Sequence, residues 1–148
     1  MFEQLLHTDA GYAATIIRVV AGAVMLPHGL QKLLGWFGGR GYQGQMQAFT
    51  QNMGIPWVFA FLAIMAESFG ALGLILGLFG RVAALGVICV MAVAIYKVHR
   101  PHGFFMNWTG KQQGEGYEFH LLMIAMAVVI LIWGSGAISL DAWIMGGM

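Results

Sequence analysis

The sequence predicts an all-α fold, a four-helix transmembrane bundle with a short amphipathic interfacial helix in its first long loop. Hydrophobic residues make up 59% of the chain and charged residues only 9%, whereas soluble domains carry about 25% charged residues. Four apolar segments reach or approach the roughly 20 residues that a helix needs to cross a bilayer. We expect one membrane domain over residues 1–148, with spans at about 12–34, 56–79, 82–98 and 117–138.

The connections between these segments differ in length. Residues 80–81 alone join the second segment to the third, which predicts a tight antiparallel hairpin. The loop after the first segment covers residues 35–55, and Met46, Phe49 and Met53 recur in it at helical spacing between polar residues. This pattern predicts the amphipathic interfacial helix, with an ordinary loop as the alternative.

Lysine and arginine residues are distributed unequally between the two sides of the predicted bundle. The side opposite the long loops holds only Arg81, and Arg18 lies inside the first span. Cytoplasmic loops of membrane proteins carry an excess of these residues. We therefore expect a multi-pass protein of the inner (plasma) membrane, with the long loops in the cytoplasm and both termini outside. The residues on the long-loop side are Lys32, Arg40, Lys97, Arg100 and Lys111.

Composition also limits the classes of partner and chemistry. The net charge is +1, and without a long basic run we expect no nucleic-acid partner. The single cysteine, Cys89, excludes an intrachain disulfide or a dithiol redox pair. Gly73 and Gly77 have the Gly-x-x-x-Gly spacing that permits close helix contact. Contact within the monomer and contact across a homodimer both remain open.

The ionisable side chains of Arg18, His28 and Glu67 lie well inside the predicted spans, away from their ends. Such residues are costly in a membrane and are therefore functional candidates. Side chains lean toward the N-terminus of their own helix, so His28 and Glu67 on antiparallel helices converge, whereas Arg18 leans toward Asp141 or Asp9. We predict an interior His28–Glu67 site with catalytic and cofactor-binding roles, and a structural Arg18–Asp141 ion pair. A pair that only locks two helices together is the alternative for His28 and Glu67.

A proline within the first span bears on the same site. Pro27 lacks an amide hydrogen and should kink the helix, which frees a backbone carbonyl one turn earlier. Freed backbone groups in a membrane need a neighbour or a water-lined cavity. The kink therefore favours a cavity beside His28, and a kink that serves packing alone is the alternative.

A second group of histidines lies at the predicted cytoplasmic ends of the last two spans. His99 and His102 have His-x-x-His spacing, and Glu118 and His120 follow them. Such a set could bind a divalent metal. Because Pro101 separates the first two histidines, a regular helix does not present them together, and we predict no metal site.

Several motifs recur in a specific order along the chain. The first span reads RVVAGAVMLPHGLQKLLG, and the second reads MGIPWVFAFLAIMAESFGALGLILGLFGR. The later part reads HRPHGFFMNWTGKQQGEGYEFHLLMIAMAVVILIWGSGAISLD. Taken together, their order and spacing resemble the DoxX family over about residues 15–143.

The resemblance implies a four-helix membrane bundle and adds Lys32 and Glu118 to His28 and Glu67 as cofactor-binding residues. Some relatives are subunits of a thiosulfate:quinone oxidoreductase, and others are associated with quinone or thiol stress or with membrane-bound detoxification complexes. The resemblance thus implies an oxidoreductase-associated membrane subunit. Its cofactor is unknown, with a quinone as the candidate. The family-like positions are Arg18, His28, Lys32, Glu67, Arg81, Glu118 and Asp141.

Two other functions remain open at this point. The chain could be a membrane scaffold that recruits soluble oxidoreductases through its cytoplasmic loops in oxidative-stress defence. It could also be a small-molecule permease, which would need oligomers because four short helices form a cramped pore. The partners to consider are membrane lipid, a quinone, a soluble oxidoreductase and a second copy of the chain.

Overall fold

The computed structural model describes residues 2–9 and 11–146, and every regular element in these two ranges is helical. The remaining residues of the predicted domain 1–148 lie outside the described ranges. The α-helices are α1 (Phe2–Leu6), α2 (Tyr12–Leu33), α3 (Gly41–Gln47), α4 (Trp57–Met65), α5 (Ala71–Leu76), α6 (Gly80–Ala94), α7 (Glu118–Trp133) and α8 (Leu140–Gly146). The π-helical turns that follow α3, α4 and α6 are Ala48–Asn52, Ala66–Gly70 and Ile95–His99.

The helices long and apolar enough to cross a membrane are Tyr12–Leu33, Trp57–Leu76 and Gly80–His102. Each overlaps a predicted span, so an all-helical membrane protein is confirmed. The last predicted span, at 117–138, contains the apolar α7, which has 16 residues. It ends early because Gly134 adopts a left-handed φ of 82°. The count of four spans therefore stays a prediction.

A helix is present in the first long loop, where the sequence predicts an amphipathic one. It runs from Gly41 through the π-helical turn to Asn52. Met46 is buried on one side of it and packs with Ala60 and Ile64 of α4. Its placement at the membrane interface stays a prediction.

The long helices pack around one apolar core. Small side chains such as Ala21, Ala71 and Ala84 let the helix backbones approach closely. The larger buried side chains of this core are Met25, Leu74, Val87, Met91, Met123 and Ile130.

The second long helix (Trp57–Leu76) consists of α4, the π-helical turn after it and α5. Its closest approach to α2 is at Gly29. The Ser68 hydroxyl donates a hydrogen bond of 3.1 Å to the Gly29 carbonyl oxygen. A methyl group at Gly29 would overlap the backbone of Glu67 and Ser68. This contact fixes the height of Glu67 relative to α2.

Replacing Gly29 with alanine is expected to destabilise the protein by about 2 kcal/mol, because the facing backbone has no room to withdraw. Unfolding by denaturant in mixed micelles, followed by tryptophan fluorescence, measures the effect. Gly70→Ala is the matched control, since its methyl group would meet Ala83 at an ordinary 3.9 Å. Equal stability of the two variants would contradict the close approach.

The turn between α5 and α6 occupies residues 77–79, slightly earlier than the predicted 80–81. Gly77 ends α5 with a left-handed φ of 67°, and the Leu78 amide donates to the Gly73 carbonyl at 2.9 Å. This is a Schellman ending, which favours glycine at the left-handed position. A side chain at Gly77 would also collide with Ser139 and Arg18.

Arg18 and Asp141 both lie beside this turn and interact electrostatically, as the sequence predicts, although no direct salt bridge joins them. Arg18 donates to the carbonyls of Leu74 and Ile75 at the end of α5, each at 2.6 Å. Its other bonds go to the carbonyls of Ser135 and Ile138. The carbonyls of Leu74 and Ile75 need such donors, because the last carbonyls of a helix have no partner within it.

The Asp141 carboxylate binds the N-terminal end of the next helix, α6. It accepts from the amides of Phe79 at 2.8 Å and Gly80 at 3.0 Å, and from the Ser135 hydroxyl at 2.6 Å. These amides begin α6, where a negative charge is favourable. Arg18 therefore caps the C-terminal end of α5, and Asp141 caps the N-terminal end of α6.

Candidate functional site

A cavity of about 1240 Å³ lies between the second long helix and α6, and reaches α2 and the start of α7. The cavity that Pro27 leads us to expect beside His28 is thus present. Its polar residues gather toward the ends of the helices that carry the long loops. The polar side chains that line it are His28, Lys32, Gln45, Glu67, Lys97, His99, Glu115 and His120.

The rest of the cavity is an apolar groove along the outer surface of the helices. Leu76, Val82 and Leu85 line it and are each about half exposed. Cys89, which is also exposed, lies on the same wall. In a membrane these residues face the acyl chains of lipid, so the groove opens sideways to the bilayer.

Glu67 pairs with Lys32, and this is the one salt bridge among the described residues. The Glu67 side chain is 5% exposed and that of Lys32 is 21% exposed. From the sequence, Glu67 was expected to pair with His28. His28 lies one turn before Lys32, on the same face of α2. The long lysine side chain leans back along α2 toward the membrane, and its ammonium group thereby reaches the depth of Glu67.

His28 stands next to this pair without a hydrogen bond to any described residue. Its ring lines the cavity and lies 6.2 Å from the ring of Phe119. The ring is exposed on the cavity side. His28 is therefore available to a ligand in the cavity, and its predicted role with Glu67 stays a prediction.

His120 and His99 form a second polar group on the cavity wall. Their ring centroids lie 4.0 Å apart. His99 Nδ1 lies 2.8 Å from the Glu115 carbonyl oxygen, which can only accept, so His99 donates from this nitrogen. His120 is 7% exposed, and its Nδ1 has no hydrogen-bond partner among the described residues. An unsatisfied buried polar group costs about 1–3 kcal/mol.

The sequence analysis considered His120 only as part of a possible metal site. Its position nevertheless carries a signal, because Met123, Ala127 and Ile130 follow it on the same face of α7 and are all buried. That spacing places His120 on the inner face of the helix. Within the described residues, no group of three or more His, Cys, Asp or Glu side chains is arranged to hold a metal ion.

Glu118 does not line the cavity. Its carboxylate accepts from the Met106 amide at 2.9 Å and from Trp108 Nε1 at 3.2 Å. The Glu115 carboxylate likewise accepts a hydrogen bond of 2.7 Å from the Asn107 amide. These contacts fold the loop before α7 over the polar end of the cavity, whereas the family resemblance implies a cofactor-binding role for Glu118.

All three π-helical turns border this cavity. The turn after α3 contributes Phe49, the turn after α4 contributes Glu67 and Phe69, and the turn after α6 contributes Lys97 and His99. Single π-helical turns are rare and frequently occur at functional sites. Their convergence singles out this cavity from the rest of the fold.

Comparison with protein families gives one assignment. The family model of DoxX matches residues 13–100, which is more than half of the chain and includes α2, the second long helix and α6. Neither the curated proteins nor the solved structures give a match. Together with its long apolar helices, this match makes the chain a membrane protein of the DoxX family.

Proposed function

We propose that the chain is a quinone-associated membrane subunit of a redox system, and that it binds a lipid-soluble quinone in the cavity. The carrying observation is the form of the cavity, a polar end joined to a long apolar groove open to lipid. A prenylated quinone has the same division, with a polar ring and an apolar tail. Ligand sites commonly combine mostly apolar walls with a few placed polar groups.

The polar end has the chemistry that a quinone ring needs. The Lys32 ammonium donates hydrogen bonds, and ring oxygens of a quinone accept them. Glu67 is positioned to accept from the hydroxyl of the reduced ring, and His28 faces the same space. A carboxylate and an imidazole can each hold and pass a proton at such a ring.

Electrons for this chemistry have to come from outside the chain. Its single cysteine provides no dithiol couple. A soluble oxidoreductase on the cytoplasmic side is therefore the expected donor or acceptor, and a bound quinone is the redox-active group. We propose the role of an oxidoreductase subunit instead of a self-sufficient enzyme.

We also propose a specific placement in the inner membrane. The apolar α7 would be the fourth span, with the loops that hold the polar end in the cytoplasm and both termini outside. The excess of lysine and arginine in those loops supports this orientation. The whole chain would then form one membrane domain, with the ring of the quinone near the cytoplasmic surface.

The test is an inventory of quinone bound to the protein purified in mild detergent. We expect organic extraction of the wild type to release a quinone, and a fully substituted decyl-benzoquinone to rebind to the extracted protein. Glu67→Gln should weaken this binding by about tenfold or more, because it removes the charge that positions Lys32. Calorimetric titration measures the dissociation constants.

Glu3→Gln is the matched control, since Glu3 is exposed in α1 and does not line the cavity. It should bind the decyl-benzoquinone as tightly as the wild type does. A folded wild-type protein that neither retains a quinone nor binds the added one would refute the proposal.

A membrane scaffold is the second candidate, and the loop before α7 favours it. This loop is ordered by Glu118 but presents Phe105 and Trp108 outward, with 69% and 86% of their surfaces exposed. Exposed aromatic residues are typical anchors of protein interfaces. If substitution of Trp108 abolishes oxidoreductase recruitment while Glu67→Gln has no effect on it, the scaffold explains the chain better.

A further inference from the structure

The nitrogen atom Nδ1 of His120 is a buried polar atom that makes no hydrogen bond to any described residue. The side chain is 7% exposed, lines the cavity and has no hydrogen bond from Nδ1 within the described part of the chain. Buried ring nitrogens are nearly always satisfied in folded proteins. A ligand in the cavity is the natural source of the missing hydrogen bond.

His120 reaches the polar end from a different side than the ion pair does. Lys32 belongs to α2 and Glu67 to the π-helical turn after α4, whereas His120 stands in the first turn of α7. His28 interacts electrostatically with both Lys32 and Glu67, and also with His120. The polar end is therefore bounded by two separate polar groups, Lys32 with Glu67 on one side and His120 on the other, and His28 is exposed to the same space.

His99 keeps the His120 ring in its place on this wall. The two rings are in contact, and the bond from His99 Nδ1 to the Glu115 carbonyl fixes the orientation of His99. The loop that carries Glu115 is itself tied to α7 through Glu118. A ring held in this way is suited to a directional hydrogen bond, because little freedom is lost when a ligand binds.

We propose that His120 Nδ1 donates a hydrogen bond to one oxygen of the quinone ring, while the Lys32 ammonium, which Glu67 positions, donates to the other oxygen. This inference rests on the proposed quinone function and specifies its substrate class. The cavity would select a ring with oxygen atoms at two opposite ends, as in a para-quinone. A lipid with a single polar oxygen can accept a hydrogen bond from only one side of the cavity, either from Lys32 or from His120.

The experiment compares two ligands that share a ring and a tail. One is a fully substituted decyl-benzoquinone, and the other is the corresponding decyl-phenol, which has one ring oxygen in place of two. Wild-type protein in lipid nanodiscs should bind the quinone about tenfold more tightly than the phenol. In His120→Phe the quinone affinity should fall to that of the phenol, while the phenol affinity stays unchanged.

His102→Phe is the matched control, because His102 does not line the cavity, and its preference should equal that of the wild type. If folded His120→Phe keeps the wild-type preference, the inference is wrong although the quinone function stands. If the wild type binds no quinone, the proposed function itself fails. A nitrogen-15 spectrum of the wild type gives a second readout, since the quinone should shift the His120 signal and the phenol should not.

Discussion

Replacing Lys32 with methionine is expected to lower the free energy of unfolding by about 3 kcal/mol, more than Glu67→Gln does. The reason is the unequal exposure of the pair, with 5% of the Glu67 side chain accessible and 21% of that of Lys32. Without Lys32, the buried carboxylate must remain charged with no partner or take up a proton, and both are costly. Without the Glu67 charge, the lysine can extend its flexible stem toward water, so Glu67→Gln should cost about 1 kcal/mol.

The double variant Lys32→Met/Glu67→Gln separates the pair from its surroundings. It should be more stable than Lys32→Met alone, because it leaves no uncompensated buried charge. Denaturant unfolding in mixed micelles measures all three variants. Lys97→Met is the control, since Lys97 is exposed and makes only a 3.3 Å bond to the Met53 carbonyl. Equal destabilisation by Lys32→Met and Lys97→Met would show that the pair does not support the fold.

The helices were largely predictable because the apolar runs are long and uninterrupted. The three spanning helices lie close to the predicted positions, since burial of backbone groups in a membrane leaves few alternatives to a helix. The end of α7 was not predictable in this way. The predicted span was extended to Ile138 across the Gly-Ser-Gly at 134–136, but Gly134 and Gly136 both have a positive φ, and the helix ends at Trp133.

The approach of α2 to Glu67 was predictable, but the residue that pairs with Glu67 was not. Because helical side chains lean toward the N-terminus of their own helix, the face of α2 that carries His28 was expected to lie near Glu67. Lys32, on that face, contacts Glu67. Lys32 was left out of this pairing because it lies at the end of the first predicted span, but its long side chain reaches back to Glu67. The place of His120 on the cavity wall was missed because its neighbour His99, and the Glu115 carbonyl that His99 hydrogen-bonds, come together only through the folded loop.

Replacing Asp141 with alanine is expected to have the largest effect on stability, a loss of about 4 kcal/mol. Asp141 is 1% exposed, and its carboxylate accepts three hydrogen bonds, from two amides that begin α6 and from the Ser135 hydroxyl. Alanine removes both acceptor oxygens, and with them all three hydrogen bonds, and leaves a void in a buried site. Asp141→Asn keeps one acceptor oxygen and should lose about half as much.

Asp9→Ala tests whether charge alone explains the loss. Asp9 is exposed near the same end of the bundle, and its amide bond to the Trp133 carbonyl survives the substitution. Its free energy of unfolding should stay within about 0.5 kcal/mol of the wild type. If Asp9→Ala and Asp141→Ala were equally destabilised, general electrostatics and not capping would account for the effect.

The consequence for the cavity follows from the position of the turn. Leu78, Phe79 and Val82 lie on the groove wall at or just after the α5–α6 turn that Asp141 caps. Loosening this turn moves the far end of the groove while leaving Lys32, Glu67 and His120 in place. Under conditions where Asp141→Ala is still folded, the decyl-benzoquinone should therefore bind within about threefold of the wild type, because its short tail occupies the polar half. A long prenyl tail should lose more affinity than the decyl tail, and equal losses for both would contradict a tail that runs along this groove.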